Sequence, residues 1–270
     1  MKSTNRKLKS DPPLAKPEYT SQTVHVYKPS SLDMWLSSPK HYGYPWNLIR
    51  MWFPEAVTAL DANNKQIWQW RHVFGKNLWK KKNKVLKSTE HIDDHAVMTL
   101  TTNWHDDQVE FEVKLKNVSS QAWSRIEVHS CLQMSAAPDY SDNTGERTYL
   151  IVDGDFTPTS LLDITDPGMR GQGIIDTELP MKDGTKKKVT DGVYFVVSKD
   201  KKYILAYSWQ PPKGFFYNRA GIVSCIHVNP KIENVEPQNE ALAKGILFIT
   251  EGSLEDAYTC YKKWQSSLKT

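Results

Sequence analysis

The chain has 270 residues, 35 Lys+Arg against 31 Asp+Glu, a formal net charge of +4 and 39% hydrophobic residues, which is enough for one large domain or two small ones. It contains no stretch of about 18 apolar residues, so a spanning helix is excluded, and a charged fraction of 24% with 11% aromatics argues against wholesale disorder. The charge excess is too small to diagnose nucleic-acid binding and is compatible with an acidic ligand.

Residues 1–20 are basic and Pro-containing without an apolar h-region. They read as a mobile tail. That tail is a cytoplasmic start, or what remains after removal of a signal peptide, in which case the location is periplasmic or extracellular. Residues 21–270 read as a single domain, although 31–55 matches no element. From there strict alternation takes over, as half-buried strands require: IWQWRHVFG (67–75), VEFEVKLKN (109–117), WSRIEVHSCLQM (123–134), RTYLIVDG (147–154), GVYFVVS (192–198), YILAYSW (203–209), GIVSCIHV (221–228) and AKGILFIT (243–250). Turn chemistry separates the strands at 117–120, Asp153-Gly154, Pro167-Gly168, Asp183-Gly184, Asp191-Gly192 and Pro211-Pro212. The lysine runs Lys80–Lys82 and Lys186–Lys188 read as solvated loops, and no nucleic-acid partner is expected. One helix is expected from Ser253, an N-cap with Asp256 three positions on, followed by Leu254, Ala257, Tyr258, Tyr261 and Trp264 at helical spacing. The expected fold class is all-β, an antiparallel sandwich with one C-terminal α-helix. Phe111, Val113, Leu115, Ile126, Val128, Ile226 and Val228 are expected in the inter-sheet core.

Period two also sorts the polar residues. Opposite Ile126, Val128 and Leu132 stand Arg125, Glu127, His129, Cys131 and Gln133, and opposite Ile226 and Val228 stand Cys225, His227 and Asn229. Two strands thus each present a Cys and a His two residues apart on a face that is not the core. Arg147 and Tyr149 share a face, as do Trp68, Trp70 and His72, and Tyr207 and Trp209. Aromatic planes beside hydrogen-bonding groups are what sugar rings require, because their C–H faces stack while their hydroxyls need partners.

Metal ligands also occur in a run, with His91, Asp93, Asp94, His95, His105, Asp106 and Asp107, but the spacing matches no firm motif and HDD reads equally as a hairpin turn. Three widely spaced cysteines, Cys131, Cys225 and Cys260, define neither a disulfide framework nor a zinc knuckle. No metal and no cofactor is therefore expected. The P-loop, the dinucleotide fingerprint and the GxSxG elbow are absent, and GMRGQG (168–173) follows no strand-to-helix pattern.

Two segments, 109–140 and 224–250, resemble the galactose mutarotase-like supersandwich shared by aldose epimerases and by domains of polysaccharide lyases and glycosidases. The first is similar in its strand, Asn-containing turn and second strand with a His, the second in its late strand, proline-containing loop and final strand. The resemblance implies that His129 falls where the epimerases carry a catalytic His and His227 where they carry a catalytic Glu, a departure from the epimerase pattern.

Glycosidic hydrolysis needs two carboxyl groups, and this reading places only Glu127 on the candidate face. Elimination beside a uronate, or epimerisation, needs a base near neutral pKa and a group that stabilises the enolate. His129 or His227 with Tyr149 could supply the base, and Arg147 with Asn229 the stabilising group. The expected catalytic set is therefore His129, His227, Arg147 and Tyr149, lining one cleft with Trp68, Trp70, His72, Glu127, Trp209 and Asn229 as substrate contacts. The expected partner is a carbohydrate, acidic polysaccharide included. The competing reading is a non-catalytic carbohydrate-binding sandwich module that keeps Trp68, Trp70 and Trp209 as stacking platforms.

Overall fold

A computed structural model describes residues 19–20, 25–27, 33–37, 47–71, 79–105, 108–220 and 224–268. In chain order its first strands are β1 (Tyr19–Thr20), β2 (His25–Tyr27), β3 (Asp33–Ser37), β4 (Ile49–Leu60), β5 (Gln66–Arg71), β6 (Lys80–Lys82) and β7 (Val85–Ile92). They continue with β8 (Ala96–Trp104), β9 (Gln108–Asn117), β10 (Trp123–Gln133), β11 (Thr148–Val152), β12 (Asp155–Pro158), β13 (Arg170–Ile174) and β14 (Glu178–Pro180). The last are β15 (Lys186–Val197), β16 (Tyr203–Gln210), β17 (Pro212–Asn218), β18 (Cys225–Pro230), β19 (Ile232–Val235) and β20 (Glu240–Glu251), before helix α1 (Leu254–Ser267). Of the expected tail at 1–20, residues 1–18 lie outside the described residues, as do His72, Asp106, Asp107 and Ile222, whereas Tyr19 and Thr20 are not tail but the strand β1, paired with β2. Among those described, no helix is long and apolar enough to cross a membrane.

The strands make two antiparallel sheets. The first runs β1-β2-β3-β4-β10-β18-β17-β13, with β5 also on β4 and β19 on β10. The second runs β12-β11-β15-β16-β20-β9-β8-β7-β6, with β14 on β15. Alternation dictates how they face each other. Phe111, Val113 and Leu115 of β9, Ile126, Val128 and Leu132 of β10, and Ile226 and Val228 of β18 all enter the shared core. Glu110, Glu112, Lys114 and Lys116 stay only partly buried on the other side of β9. Each Val, Leu, Ile or Phe so buried contributes about 1.5–3 kcal/mol.

Strands β15, β16 and β20 are apolar on both faces. Tyr194, Val196, Leu205, Tyr207, Trp209, Leu247 and Ile249 point into the inter-sheet core. Val193, Phe195, Ile204, Ala206, Ile246 and Phe248 point outward, beneath Ala257, Tyr261 and Trp264 of α1. The helix begins where expected, with a capping box in which the Asp256 amide donates to Ser253 Oγ at 3.2 Å and the Ser253 amide donates to Asp256 Oδ2 at 2.9 Å. Asp153-Gly154 forms the β11–β12 turn, with φ of 50° and 91° at the two positions, as a type I′ hairpin demands. Asp191-Gly192, expected as a turn, instead lies inside β15, where the pairing with β11 slips by two residues between Ile151 and Tyr149. From there Asp191 accepts hydrogen bonds from Tyr258 Oη at 2.8 Å and Lys262 Nζ at 3.3 Å, tying the helix to the sheet.

Candidate active site

The outer face of the first sheet is built by β5, β4, β10, β18 and β17, and among the described residues no helix covers it. In β10 and β18 the residues facing away from the core are Arg125, Glu127, His129, Cys131, Gln133, Cys225, His227 and Asn229, and the register sets Cys131 opposite His227 and Gln133 opposite Cys225. His129 and His227 therefore lie on one face of neighbouring strands, on a diagonal of the ladder. Their side chains differ in access. The His129 side chain is 42% exposed, whereas His227 is buried, with Phe216 edge-on at 5.0 Å. His227 Nε2 lies 3.4 Å from Cys225 Sγ.

On the other side of β10, strand β4 carries two extra residues between the pairs Ala56–His129 and Trp52–Cys131, a β-bulge of the kind that re-aims side chains. Glu55 sits in this bulge, half-buried. Its carboxyl pKa is raised by burial, against the opposing pull of His227 and Arg71, with Cys225 adding to the rise. The His129 imidazole is held below its ordinary value by burial first and by His227 second, while Glu127, 4.0 Å from Nε2, pulls the other way. Cys131 and Cys225 behave as a pair. The Cys131 thiol donates to the Cys225 sulfur, which pushes Cys131 up and, with His227 adding to the effect, pulls Cys225 down. Arg71, opposite Ala56 on β5, donates through Nε to Gln69 Oε1 at 2.9 Å, and Gln69 donates to Thr58 Oγ1 at 3.1 Å. Toward β3, the Arg50 guanidinium lies 4.7 Å from the Trp52 ring and 5.4 Å from that of Trp35.

Of the expected set, this face brings together His129, His227, Glu127 and Asn229. Glu127 is paired with Arg125 at 3.0 Å, and Asn229 keeps a buried Oδ1 that has no hydrogen-bond partner. The face does not include Arg147 or Tyr149. Arg147 precedes β11 in the second sheet, and its guanidinium donates to the carbonyls of Asp139 at 2.8 Å, Val197 at 2.6 Å and Ser141, so three of its five N–H donors are spent on backbone. Tyr149 lies partly buried against the cluster under α1. Trp209 is fully buried, its Nε1 donating to Tyr207 Oη at 2.7 Å, and Trp68 packs edge-on against Trp123 at 5.2 Å. Trp70 also packs against the core. Trp209 and Trp68 are inter-sheet filling, because they occupy buried core-facing positions of β16 and β5, and Trp70 is half-buried on the same face of β5.

Glu55, Arg71 and Trp52 are the members of this face that sequence reasoning missed. The one available signal was a glutamate interrupting the apolar run MWFPEAVTAL (51–60). The His/Asp run resolves into a hairpin turn, with Asp93 at a φ of 44° between β7 and β8, and into ion pairs of His95 with Asp94 at 3.7 Å and His105 with Glu110 at 3.1 Å. Among the described residues it supplies no trio of converging ligand atoms. In GMRGQG, Gly171 lies on edge strand β13, where a Cβ would collide with the Tyr217 ring.

The architecture, two large antiparallel sheets packed face to face, defines a supersandwich. Neither a protein-family model nor a curated protein sequence matches the chain. Solved structures do match. A galactose mutarotase-like protein from Clostridium acetobutylicum superimposes with a TM-score of 0.52 at 10% identity, over 87% of this chain and 94% of that one. One from Lactobacillus casei gives 0.52 at 9% identity, over 86% and 98%. An α-N-acetylgalactosaminidase from Bifidobacterium bifidum gives 0.53 at 8% identity, over 92% of this chain but 38% of its own. The fold is that of the galactose mutarotase-like proteins.

Proposed function

We propose that the chain is a carbohydrate-active enzyme that moves protons on a sugar ring at the outer face of the first sheet, with His129 and Glu55 as the acid/base pair. The observation that carries this reading is their placement on neighbouring strands β10 and β4, the imidazole accessible and the carboxyl half-buried, on the uncovered face of a fold shared with galactose mutarotase-like proteins. Epimerisation at the anomeric carbon needs such a pair: one group takes the hydroxyl proton, the other delivers a proton to the ring oxygen as the ring bond breaks, and the reverse steps close the other anomer. Glu127 is already engaged by Arg125, which leaves Glu55 as the free carboxyl and disfavours two-carboxylate hydrolysis. Arg71, beside the pair, supports a second substrate class, a uronate whose carboxylate it would neutralise during elimination.

Anomer exchange of neutral aldoses followed by NMR, in parallel with ultraviolet detection of unsaturated products from acidic polysaccharides, tests the proposal. Turnover of one class is expected, with His129→Ala and Glu55→Gln remaining folded and losing about 10²–10⁴-fold in rate. Glycans that bind without product, with binding weakened by Trp52→Ala and unaffected at His129, would replace the enzyme with a binding module.

A further inference from the structure

We propose that Cys131, Cys225 and His227 form a binding site for a soft divalent transition-metal ion, with zinc as the reference ion. The three are brought together by sheet register alone. Cys131 is the antiparallel partner of His227, and Cys225 precedes His227 by two residues on the same strand, so all three side chains leave the sheet on one side. Their two sulfurs and one imidazole nitrogen lie within 4.8 Å of one another.

The spacing matches coordination geometry. Zinc bonds of about 2.3 Å to sulfur and about 2.0–2.1 Å to nitrogen, opened to the tetrahedral angle, put the two ligand atoms about 3.6 Å apart. Cys225 Sγ and His227 Nε2 are 3.4 Å apart, so a small outward shift would admit the ion. The donor set selects the metal class, since thiolates and imidazole favour zinc over magnesium or calcium, which take oxygen ligands.

Burial points the same way. Cys131, Cys225 and His227 are 2%, 4% and 7% exposed, and a divalent ion there would carry a large desolvation cost unless its charge were cancelled. Two thiolates and a neutral imidazole bring the net charge of the filled site to zero, each thiol releasing its proton to solvent on binding. The ligands sit on paired strands rather than loops, which fixes their spacing. Three protein ligands leave one tetrahedral position for water or a ligand oxygen. Neither His129 nor Glu55 is a ligand here, so the site needs neither of them, although His227 acts electrostatically on both.

The test uses the full chain, reduced, freed of metal by chelation and carrying Cys260→Ser to remove the exposed thiol of α1. Titration with Co²⁺ is expected to saturate at one equivalent, with strong visible bands of a tetrahedral ion and a near-ultraviolet sulfur-to-cobalt charge-transfer band, both abolished by Zn²⁺. Cys131→Ser or Cys225→Ser should weaken cobalt binding by more than about 100-fold, beyond the 10–100-fold typical of outer-shell changes. Absence of saturable binding, or a cobalt spectrum without the sulfur band, overturns the site. So does a spectrum that survives replacement of both cysteines. Should the variants not fold, X-ray absorption of the zinc-loaded unsubstituted chain decides: sulfur scatterers at about 2.3 Å with nitrogen at about 2.0–2.1 Å support the site, and a shell of oxygen and nitrogen alone overturns it.

Discussion

The outer faces of the two sheets have opposite fates. On the second sheet Val193, Phe195, Ile204, Ala206, Ile246 and Phe248 form an apolar floor, and α1 lays Ala257, Tyr261 and Trp264 upon it. On the first sheet the equivalent layer holds Glu55, Glu127, His129, His227 and Asn229, with no helix over it among the described residues. The difference follows from solvation. A face that meets water must carry groups water can satisfy, whereas a face of valine and phenylalanine must be covered. With the helix on the second sheet, the polar outer face of the first is the one left to chemistry.

The comparison predicts unequal costs of truncation. Trp264→Ala removes a buried indole from the covered face and should cost about 3–5 kcal/mol in urea unfolding. His129→Ala, at a half-buried position on the outer face of the first sheet, should cost less, about 1 kcal/mol, the central value for single substitutions. Equal losses at the two positions would mean that the outer face of the first sheet is as much a packing layer as that of the second.

This asymmetry also decided what could be read from sequence. VEFEVKLKN (109–117) alternates because Glu110, Glu112, Lys114 and Lys116 need water, so its core face was legible. The strands under α1 offer no such contrast. In YILAYSW (203–209) both faces are buried, and Tyr207 and Trp209, which share a face, lie inside the core, where Trp209 donates to Tyr207 and Tyr207 donates to the Ser130 carbonyl. Two further facts depend on partners distant in sequence. Arg147 is spent on the carbonyls of Asp139, Ser141 and Val197, and Glu55 comes within electrostatic reach of His227 and Arg71 where β4 bulges against β10. The Cys-x-His spacing on β18 and its counterpart on β10 were visible. Their register, which sets Cys131 against His227, was not.

The core between the faces can be probed at Gly245, which pairs with Trp209 across β20 and β16. A Cβ at that position would stand 2.8 Å from the Trp209 ring. Gly245→Ala should therefore force the indole or the strand aside and cost about 1–3 kcal/mol by thermal or urea unfolding, as overpacking does. A neutral result would show that the Trp209 ring has room to move, and with it the floor beneath Ser208 and Ala206 of the same strand.

The joint between the sheets lies in the segment that leaves β10 and enters β11. Burial alone would raise the Asp142 carboxyl, but hydrogen bonds from the Arg147 and Gly145 amides and the Thr148 and Thr144 hydroxyls outweigh it and hold its pKa below the ordinary 3.8. A carboxylate with a depressed folded pKa contributes its full stabilisation above the unfolded value and loses it as pH falls through the folded one. Asp142→Asn should thus be less stable than the parent by about 1–3 kcal/mol at neutral pH. The gap should close as pH drops below 3.8, in thermal unfolding measured across an acid series. A gap that widens on acidification would contradict the assignment.

At the start of α1, cap and packing can be separated. Ser253 and Asp256 satisfy each other's backbone amides, and removing the hydroxyl frees the Asp256 N–H and takes one donor from the exposed Asp256 carboxylate, so Ser253→Ala should cost about 1 kcal/mol. The covered face should survive, because Ala257, Tyr261 and Trp264 still bury themselves against Phe195, Ile204 and Ile246, and the Asp191 contacts to Tyr258 and Lys262 lie beyond the first turn. The variant should accordingly bind no more of a hydrophobic dye than the parent at room temperature while its unfolding midpoint falls slightly. Dye binding without global unfolding would show that the cap, and not the indole and tyrosine beneath the helix, keeps the second sheet dry, and the packing argument for the covered face would then fail.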